Sequence, residues 1–366
     1  MTIVKNVRIT ELSVPLKRPV SISARAIPAR DFTLVQVETD EGVTGSGVVY
    51  MHVGEIVNRN LKPLLVGSDV ICIEKIWWEM YREMYRDRKG AAIRAISAAD
   101  ISLWDAKAKS LRLPVYKLLG ARREKVPCYG SGGYYRKDQT LDELSEEMAR
   151  FVKRGLKSVK IRVGGLDLKS DVERVRAVRE GIGPKIQLML DANNAYDVSG
   201  AIRAGREFEK FDIFWFEEPV WPDDILGSAE VALALDVPIA SGELEYTKYG
   251  FRDLIERRGA DIIQPDAEVV GGISEWLKVA GIASAYRISV APHWAQEVHV
   301  HLTAATDNSI FVEWFDRDLD IRKEDELYKS EVRMIDGFVY PGSSPGLGIE
   351  INEEAVKQYT TARFSE

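Results

Sequence analysis

The chain has 366 residues, 45% of them hydrophobic, and a formal net charge of −7. This length exceeds what one small core needs, so it predicts two domains or one large α/β barrel with additions. The acidic balance and the lack of a basic stripe argue against a nucleic-acid partner, which requires clustered Lys and Arg. No stretch approaches the ~20 apolar residues of a membrane span, so we expect no membrane partner either.

Two cysteines, Cys72 and Cys128, lie in apolar sequence without a CxxC spacing. We interpret both as small buried hydrophobic residues rather than as a disulfide pair. The N-terminus, MTIVKNVRIT, has no apolar segment typical of a signal peptide. These features together predict a cytoplasmic protein.

The first third of the chain has the patterns of a small antiparallel sheet followed by helices. Residues 3–14 and 32–39 alternate apolar and polar side chains, and a turn leads from the second run to VTGSGVV. Between the two runs, residues 16–31 are polar and contain prolines, so we expect a long loop that acts as a lid or binding segment. Helical spacing follows in three segments, 52–66, 73–86 and 90–110.

Eight short β-rich runs follow from about residue 126, and each of the first seven precedes an amphipathic helical segment. Regular alternation places the strands in a parallel sheet, and eight such units close into a (β/α)8 barrel. The alternative, an open doubly wound sheet, lacks the GxGxxG turn after its first strand. The strand candidates are 126–130, 158–163, 186–191, 213–218, 237–243, 261–266, 288–293 and 310–314.

We therefore predict an α/β protein in which an α+β capping domain, built from both ends of the chain, covers a (β/α)8-type (TIM-like) barrel. Residues 1–125 would form the N-terminal part of the capping domain and residues 126–318 the catalytic barrel. Residues 319–366 would be a C-terminal segment that packs on the capping domain. Because barrel enzymes carry their sites at the carboxyl ends of the strands, functional residues are expected there.

Three acids lie at the ends of consecutive strand candidates. Asp191, Glu217 and Glu243 are each 26 residues apart, one strand and helix unit, so they would project into one mouth. Neighbouring carboxylates raise one another's pKa unless a cation neutralises them. All-oxygen ligands suit Mg²⁺ better than Zn²⁺, which prefers nitrogen and sulfur. A single acid at a strand end often only caps the next helix, but three at equal spacing favour a magnesium site.

His293 ends the seventh strand candidate, and Asp266 ends the sixth. A carboxylate that binds one ring nitrogen of a histidine fixes the tautomer and makes the other nitrogen a base near neutral pH. The pair therefore predicts a general base. We interpret His299 and His301 as structural, because residues two apart on a helix point in different directions.

Lys160 and Arg162 alternate across Ile161, so both side chains would face the barrel interior, where burying Lys is costly. Arg162 stays charged in almost any site and favours a clamping role, whereas its charge would lower the pKa of Lys160. Glu313, on the eighth strand candidate, would lie opposite the metal. If an apolar setting keeps Glu313 protonated, it could donate a hydrogen bond to the charge that grows on a substrate carboxylate. The alternative is an ordinary salt bridge to a cation of the second strand.

These residues resemble the enolase superfamily, specifically its mandelate racemase subgroup, and the resemblance spans nearly the whole chain. It implies that the three acids bind Mg²⁺, that the metal and Glu313 hold the carboxylate of a small-molecule substrate, and that His293, oriented by Asp266, moves a proton on one face. It also implies a symmetric homo-oligomer. The matching motifs are KIR (160–162), DAN (191–193), EEP (217–219), SGE (241–243), QPD (264–266), PH (292–293), Glu313 and PGLGIE (345–350).

One position departs from the pattern of this subgroup. The second strand usually carries Lys-x-Lys, whose second lysine is a base on the opposite face, and here that position is Arg162. A racemase needs a base on each face, whereas a dehydratase needs one base and an acid, roles that His293 could fill in turn. The departure favours dehydration of an acid sugar, an aldonate or aldarate, to a 2-keto-3-deoxy acid through an enediolate. A racemase, epimerase or cycloisomerase, with Arg162 or Lys160 as a second base, is the alternative.

The resemblance places substrate specificity in capping-domain loops, here around 16–31 and 45–55. An arginine in these loops could bind a second carboxylate, which would favour an aldarate, although a solvated loop charge is the commoner role of each arginine. The tryptophan after EEP would stack on a sugar or simply pack. The candidates for substrate binding are Asn193 of the DAN motif, Arg25, Arg30, Tyr50 and His52 of the capping loops, and Trp221 after EEP.

Overall fold

Three strands at the start of the chain form an antiparallel sheet, and the last strand of the chain joins its edge. In the computed structural model, which describes residues 1–364, the three are β1 (Val4–Ser21), β2 (Ala26–Thr39) and β3 (Thr44–Val49). Alternate side chains of β1 are buried, as its sequence pattern predicts. The predicted antiparallel sheet is confirmed.

The predicted long loop over residues 16–31 is wrong, because β1 and β2 continue through most of it. Val20 pairs with Ile27 and Ser21 with Ala26, so the connection shrinks to a few residues. The pairing shifts register between Pro15 and Val20, where the prolines lack the N–H that a regular ladder needs. Val20 and Ile27 are buried, which outweighs the polar character of this segment.

Helices cover one face of this sheet. Two glycines of β3 allow the long helix over residues 91–110 to approach closely, since a Cβ on Gly45 would lie 2.2 Å from the carbonyl oxygen of Ser102. The three predicted helical segments are confirmed, but Cys72 is exposed, so its predicted burial is wrong; Cys128 is buried as predicted. The helices are α1 (Gly54–Ile56), which continues through a π turn (Val57–Leu61) into α2 (Lys62–Leu65), α3 (Ile73–Glu83), α4 (Ala91–Ser110) and α5 (Val115–Leu118).

Eight parallel strands then form the barrel, at the positions that the sequence predicts. The first barrel strand pairs with the eighth through Cys128 and Val312, and a bridge between Val290 and Ser309 links the seventh strand to the segment that leads into the eighth. This closure confirms the predicted barrel. The strands are β4 (Val126–Ser131), β5 (Ser158–Arg162), β6 (Gln187–Asp191), β7 (Ile213–Glu217), β8 (Ile239–Ser241), β9 (Ile262–Ile263), β10 (Ser289–Val290) and β11 (Val312–Trp314).

A helix follows each of the first seven barrel strands. Side chains such as Asp167 and Asp197 cap these helices by accepting a hydrogen bond from the first turn. Among residues 1–364, no helix combines the length and apolar character needed to cross a membrane. The helices are α6 (Leu141–Lys153), α7 (Leu168–Ile182), α8 (Val198–Phe208), α9 (Ile225–Ala234), α10 (Thr247–Glu256), α11 (Gly272–Ala285) and α12 (Gln296–Ala305).

The tail of the chain contacts both units. One of its hairpins extends the barrel strand β4 at Val126, and its final strand pairs with β1, as between Phe364 and Ile9. The proposed division at residues 125 and 318 remains a prediction. The tail elements are α13 (Glu324–Leu327), β12 (Tyr328–Ser330), β13 (Arg333–Ile335), β14 (Phe338–Tyr340), β15 (Ile349–Ile351), α14 (Glu353–Tyr359) and β16 (Thr360–Phe364).

Asp105 on α4 ties three parts of the chain together. Its buried carboxylate accepts hydrogen bonds from Ser46 N of β3 (2.8 Å), Leu347 N of the tail (2.8 Å) and Lys109 Nζ (2.6 Å). Burial raises the pKa of Asp105, and the three donors oppose that rise. The carboxylate is therefore a single connection between sheet, helix and tail.

We expect Asp105→Asn to lower the free energy of unfolding by about 2 kcal/mol, because an amide NH₂ replaces an oxygen that accepts a charge-assisted bond. For a chain of this length the change corresponds to a melting temperature about 3 °C lower, measurable by scanning calorimetry. Asp253→Asn, in an exposed ion pair with Arg252, is the matched control and should leave the melting temperature unchanged. If Asp105→Asn had the melting temperature of the wild type, the assignment of Asp105 as the connection between sheet, helix and tail would be contradicted.

Candidate active site

The three acids predicted as metal ligands meet at the carboxyl ends of β6, β7 and β8. Asp191, Glu217 and Glu243 each offer an oxygen within 4.8 Å of the others, and all three are buried. Local geometry holds them: the backbone N–H of Asn193 donates to Asp191 Oδ1 at 2.8 Å, and the Trp215 indole donates to Glu217 Oε2 at 2.8 Å. Successive acids are separated by one strand and one helix, so they lie at the ends of neighbouring strands and meet there, as their spacing predicts.

Lys160 lies beneath these acids with 0% of its surface exposed. Its Nζ is 2.5 Å from Glu217 Oε1, 3.0 Å from Glu313 Oε1 and 3.8 Å from Asp191 Oδ2. Burial alone would lower the pKa of Lys160, but Glu217 and Glu313 outweigh it and raise the pKa well above its usual range. Arg162 lowers the pKa of Lys160, as predicted, but the carboxylates outweigh this effect, so the expected net lowering is wrong.

Arg162 is held as a cation by groups on three sides. Its Nε is 3.2 Å from Asp191 Oδ2, Nη1 donates to Ser131 Oγ at 3.1 Å, and Nη2 donates to Tyr134 Oη at 2.9 Å. Burial lowers the pKa of Arg162, but Tyr134 and the acids Asp191 and Glu313 outweigh it, so the net change is upward. This side chain cannot take up a proton.

His293 and Asp266 form the predicted pair at the ends of β10 and β9. His293 Nδ1 is 2.9 Å from Asp266 Oδ2, and Nε2 is 3.4 Å from Glu243 Oε2. Asp266 is itself fixed by the backbone N–H of Glu268, which donates to its other oxygen at 2.8 Å. Burial lowers the pKa of His293, but Glu243 and Asp266 raise it to about 9. With Nδ1 bonded to Asp266, Nε2 is the nitrogen that faces the cavity.

Glu313 forms the salt bridge that was the alternative to a protonated acid. Burial raises its pKa, but Lys160, His293 and Arg162 lower it to about 2, and the backbone N–H of Trp294 donates to Oε2 at 2.8 Å. The condition for a protonated Glu313, an apolar setting, is not met, because three cations surround it, and the salt-bridge alternative describes the site. Glu313 is an ionised carboxylate.

A cavity of about 610 Å³ opens above these residues, between the barrel mouth and the capping sheet. It brings the barrel residues Arg162, Glu243, Asp266 and His293 together with every substrate-binding candidate that the sequence predicts. Trp221 belongs to its wall but is 68% exposed, so it lies at the rim. The candidates in the lining are Arg25, Arg30, Tyr50, His52, Asn193 and Trp221.

Arg30 is not a solvated loop charge. It is buried within β2, its Nε donates to the carbonyl of Ile321 at 3.0 Å, and its guanidinium lies 4.8 Å from the Trp294 ring centroid. Tyr50 Oη lies near two guanidinium groups, 3.2 Å from Arg25 Nη2 and 3.1 Å from Arg30 Nη1. Arg25 remains the freer cation, at the cavity wall.

Several lining residues were missed by the sequence analysis because each follows a motif without belonging to its pattern. Tyr134 comes after the GG pair that follows β4, and Trp294 directly follows the PH motif. Trp294 has φ of 64°, in the left-handed region, which signals a constrained turn beside the histidine. His299 and His301 are structural, as predicted: they accept hydrogen bonds from the backbone N–H groups of Ala267 and Tyr116.

The residues at the barrel mouth fit a divalent cation. Burial raises the pKa of Glu243 well above its usual range, with the neighbouring Glu218 adding to the effect, and burial also raises the pKa of Glu217. Within residues 1–364, Glu243 Oε2 is buried without a hydrogen-bond donor. A hard cation bound by these oxygens would neutralise the excess negative charge, and oxygen ligands of this kind suit Mg²⁺.

Several known enzymes are similar to this chain over most of its length. Arabinonate dehydratase of Saccharolobus solfataricus is 35% identical over 340 residues, which cover 90% of each chain. The 3,6-anhydro-alpha-L-galactonate cycloisomerase of Streptomyces coelicolor is 35% identical over 334 residues, covering 88% of this chain and 90% of that one. The crystal structure of L-talarate dehydratase from Polaromonas sp. JS666, complexed with Mg and L-glucarate, is 34% identical, with a TM-score of 0.90 over 100% of this chain and 99% of that one.

Two protein-family models account for most of the chain. The mandelate racemase/muconate lactonizing enzyme N-terminal domain matches residues 4–120, and the enolase C-terminal domain-like family matches residues 143–355. These ranges correspond to the antiparallel sheet with its helices and to most of the barrel, and they confirm the resemblance seen in the motifs. The chain belongs to the mandelate racemase/muconate lactonizing enzyme family of the enolase superfamily.

Proposed function

We propose that this protein is a Mg²⁺-dependent acid-sugar dehydratase, which removes the proton next to a carboxylate and then eliminates water to give a 2-keto-3-deoxy acid. The observation that carries the proposal is the arrangement of one base, His293 on Asp266, beside three metal-binding acids, while Arg162 is fixed as a cation where a second base would stand. A bound Mg²⁺ supplies positive charge that stabilises the negative charge developing on the substrate carboxylate.

His293 is the group that moves the proton. Asp266 accepts from Nδ1 and so holds the ring with Nε2 towards the cavity. Nε2 takes the α-proton, and Asp266 stabilises the imidazolium that forms. The cavity is closed below by buried side chains, so the charges act in a medium with little water.

Lys160 and Arg162 serve as fixed positive charges for the substrate carboxylate. Both are buried and paired with carboxylates at the barrel mouth. Neither gives up its proton near neutral pH, because the surrounding acids raise the pKa of each. One face of the substrate therefore meets a base and the other meets cations, which suits an elimination better than a racemisation.

A cycloisomerase is the second candidate, because a relative of that activity is 35% identical over 88% of this chain. Such a reaction also needs a single proton-transfer group beside a carboxylate site. A racemase or epimerase requires a second base, and the paired state of Arg162 disfavours it. Product analysis separates the candidates, since only the dehydratase releases a 2-keto-3-deoxy acid.

We propose a small acid sugar as substrate, with Arg25 placed to bind a second carboxylate at its distal end. The support comes from Arg25 at the cavity wall and from the related dehydratase that was crystallised with the diacid L-glucarate. Tyr50, His52, Asn193 and Trp221 supply hydrogen bonds and a stacking surface for hydroxyl groups. A cytoplasmic location and a homo-oligomeric state remain part of the proposal, testable by fractionation and by size-exclusion chromatography with light scattering.

We expect His293→Asn to lower kcat for dehydration by about 10³-fold or more, because asparagine keeps a polar side chain but cannot take up the proton. The measurement is the 2-keto-3-deoxy acid formed from a library of mono- and diacid sugars, detected with semicarbazide. The variant should also stop the exchange of the substrate α-proton with deuterated solvent. Near-normal turnover would rule out His293 as the base.

We expect Mg²⁺ to stabilise the protein and chelation to abolish turnover. At a Mg²⁺ concentration 100 times Kd, binding to the folded state contributes about 2.7 kcal/mol, a rise of roughly 3 °C in melting temperature for this chain length. Glu243→Gln should lose that rise, because it removes one ligand charge. Glu230→Gln, an exposed position on α9, should keep it; a melting temperature of the wild type that does not respond to Mg²⁺ would favour a binding protein without catalysis.

A further inference from the structure

Tyr134 stands in the loop after β4, with its hydroxyl against the guanidinium of Arg162. Arg162 Nη2 donates to Tyr134 Oη at 2.9 Å, and the guanidinium carbon lies 4.4 Å from the ring centroid. The tyrosine is buried by the protein but belongs to the lining of the same cavity as His293. A phenol with a dissociable proton therefore faces the space where the substrate binds.

The hydroxyl proton of Tyr134 is uncommitted. In residues 1–364 the structure records one hydrogen bond for this hydroxyl, in which it accepts from Arg162, and no acceptor for its own proton. The neighbouring Tyr135 differs, because its hydroxyl donates to Asp171 Oδ1 at 2.7 Å, outside the cavity. The proton of Tyr134 is thus available to a ligand, whereas that of Tyr135 is not.

Arg162 prepares Tyr134 to release its proton. The guanidinium is fixed by Ser131 Oγ at 3.1 Å and Asp191 Oδ2 at 3.2 Å, so it stays beside the phenol. A fixed positive charge at hydrogen-bond distance stabilises a phenolate more than a neutral phenol. Arg162, at the position where the subgroup usually has lysine, therefore favours release of the proton from Tyr134.

The resting state of Tyr134 is the neutral acid. Burial raises the pKa of Tyr134 above its ordinary value, and the charge of Arg162 offsets part of that rise. The group therefore holds its proton at neutral pH and is suited to donate rather than to accept. A departing hydroxide is a strong enough base to take it, since water is a much weaker acid than a phenol.

We propose that Tyr134 is a catalytic residue, the general acid that protonates the β-hydroxyl as it leaves. This inference rests on the proposed dehydratase function. Tyr134 and Arg162 occupy the side of the mouth formed by β4 and β5, whereas His293 follows β10, which is separated from β4 by β11. Acid and base therefore act from different sides of the cavity.

The step balances as follows in atoms and protons. His293 Nε2 takes the α-proton, the bond from the β-carbon to oxygen breaks, and the leaving oxygen keeps the electron pair and takes the proton of Tyr134 Oη to depart as water. The enol that remains becomes the ketone when its β-carbon takes the proton held by His293. The enol hydroxyl then returns a proton to the phenolate of Tyr134 through water, which restores both residues.

Tyr134→Phe tests the proposal, because it removes only the hydroxyl. With an acid sugar that the wild type dehydrates, we expect kcat to fall by about 100-fold while the α-proton still exchanges with deuterated solvent, since His293 is untouched. A substrate analogue with fluoride in place of the β-hydroxyl needs no proton to leave. The variant should therefore eliminate fluoride at the wild-type rate.

Tyr135→Phe is the matched control and should keep the wild-type kcat, because its hydroxyl lies outside the cavity. Equal melting temperatures and equal responses to Mg²⁺ would show that Tyr134→Phe is folded. Unchanged kcat on the hydroxyl substrate, an equal loss on the fluoride substrate, or a loss of α-proton exchange would each overturn the proposal. A wild type that exchanges the α-proton but never releases water would instead refute the dehydratase function.

Discussion

The barrel mouth is organised by an excess of buried negative charge. Lys160, without exposed surface, touches Glu217 and Glu313 and lies near Asp191, yet the carboxylates still outnumber the cations around them. Charges removed from water are costly unless paired. The fixed proton on Lys160 and the affinity for a divalent cation both follow from this imbalance, whereas Glu313 stays ionised because Lys160, His293 and Arg162 lie around it.

The same excess of negative charge gives the cationic side chains different roles. Several carboxylates raise the pKa of Lys160 and of Arg162, which favours the protonated form of each. His293 is different, since its unperturbed pKa is close to neutral and one of its nitrogens faces the cavity. Neutralisation of Glu243 by a bound cation would remove part of the charge that raises the pKa of His293, so metal binding and base strength are coupled.

The barrel and the acidic site could be predicted from sequence because both depend on a repeat. Equal spacing of Asp191, Glu217 and Glu243 is visible along the chain, and parallel strands convert that spacing into proximity. The strand structure within residues 16–31 could not be predicted, because the pairing of Val20 with Ile27 depends on burial against elements far away in sequence. Local proline and charge content favoured a loop, and tertiary packing overrode it.

The protonation state of Glu313 and the position of Tyr134 could not be predicted from the sequence either. The ionised state of Glu313 depends on three cations contributed by β5 and by the segment after β10. The spacing of these residues along the chain does not reveal how close they lie to Glu313. Tyr134 meets Arg162 across 28 residues of chain, through a loop without periodic pattern. Residues at strand ends can be predicted because successive strands place them in a repeated direction. Loop residues that reach the same cavity follow no such repeat, so the sequence pattern does not predict them.

The capping sheet and the catalytic groups form one packed unit rather than two independent parts. Arg30 of β2 stacks on Trp294, whose backbone N–H holds Glu313, and it also donates to Tyr50 at the cavity wall. A change in the capping residues that shape the substrate end would therefore shift Trp294, whose backbone N–H positions Glu313. Because the indole is also anchored by Glu324 of the tail, selectivity and catalysis share a support, and new specificity is most accessible at Trp221, which lies at the cavity rim outside this stack.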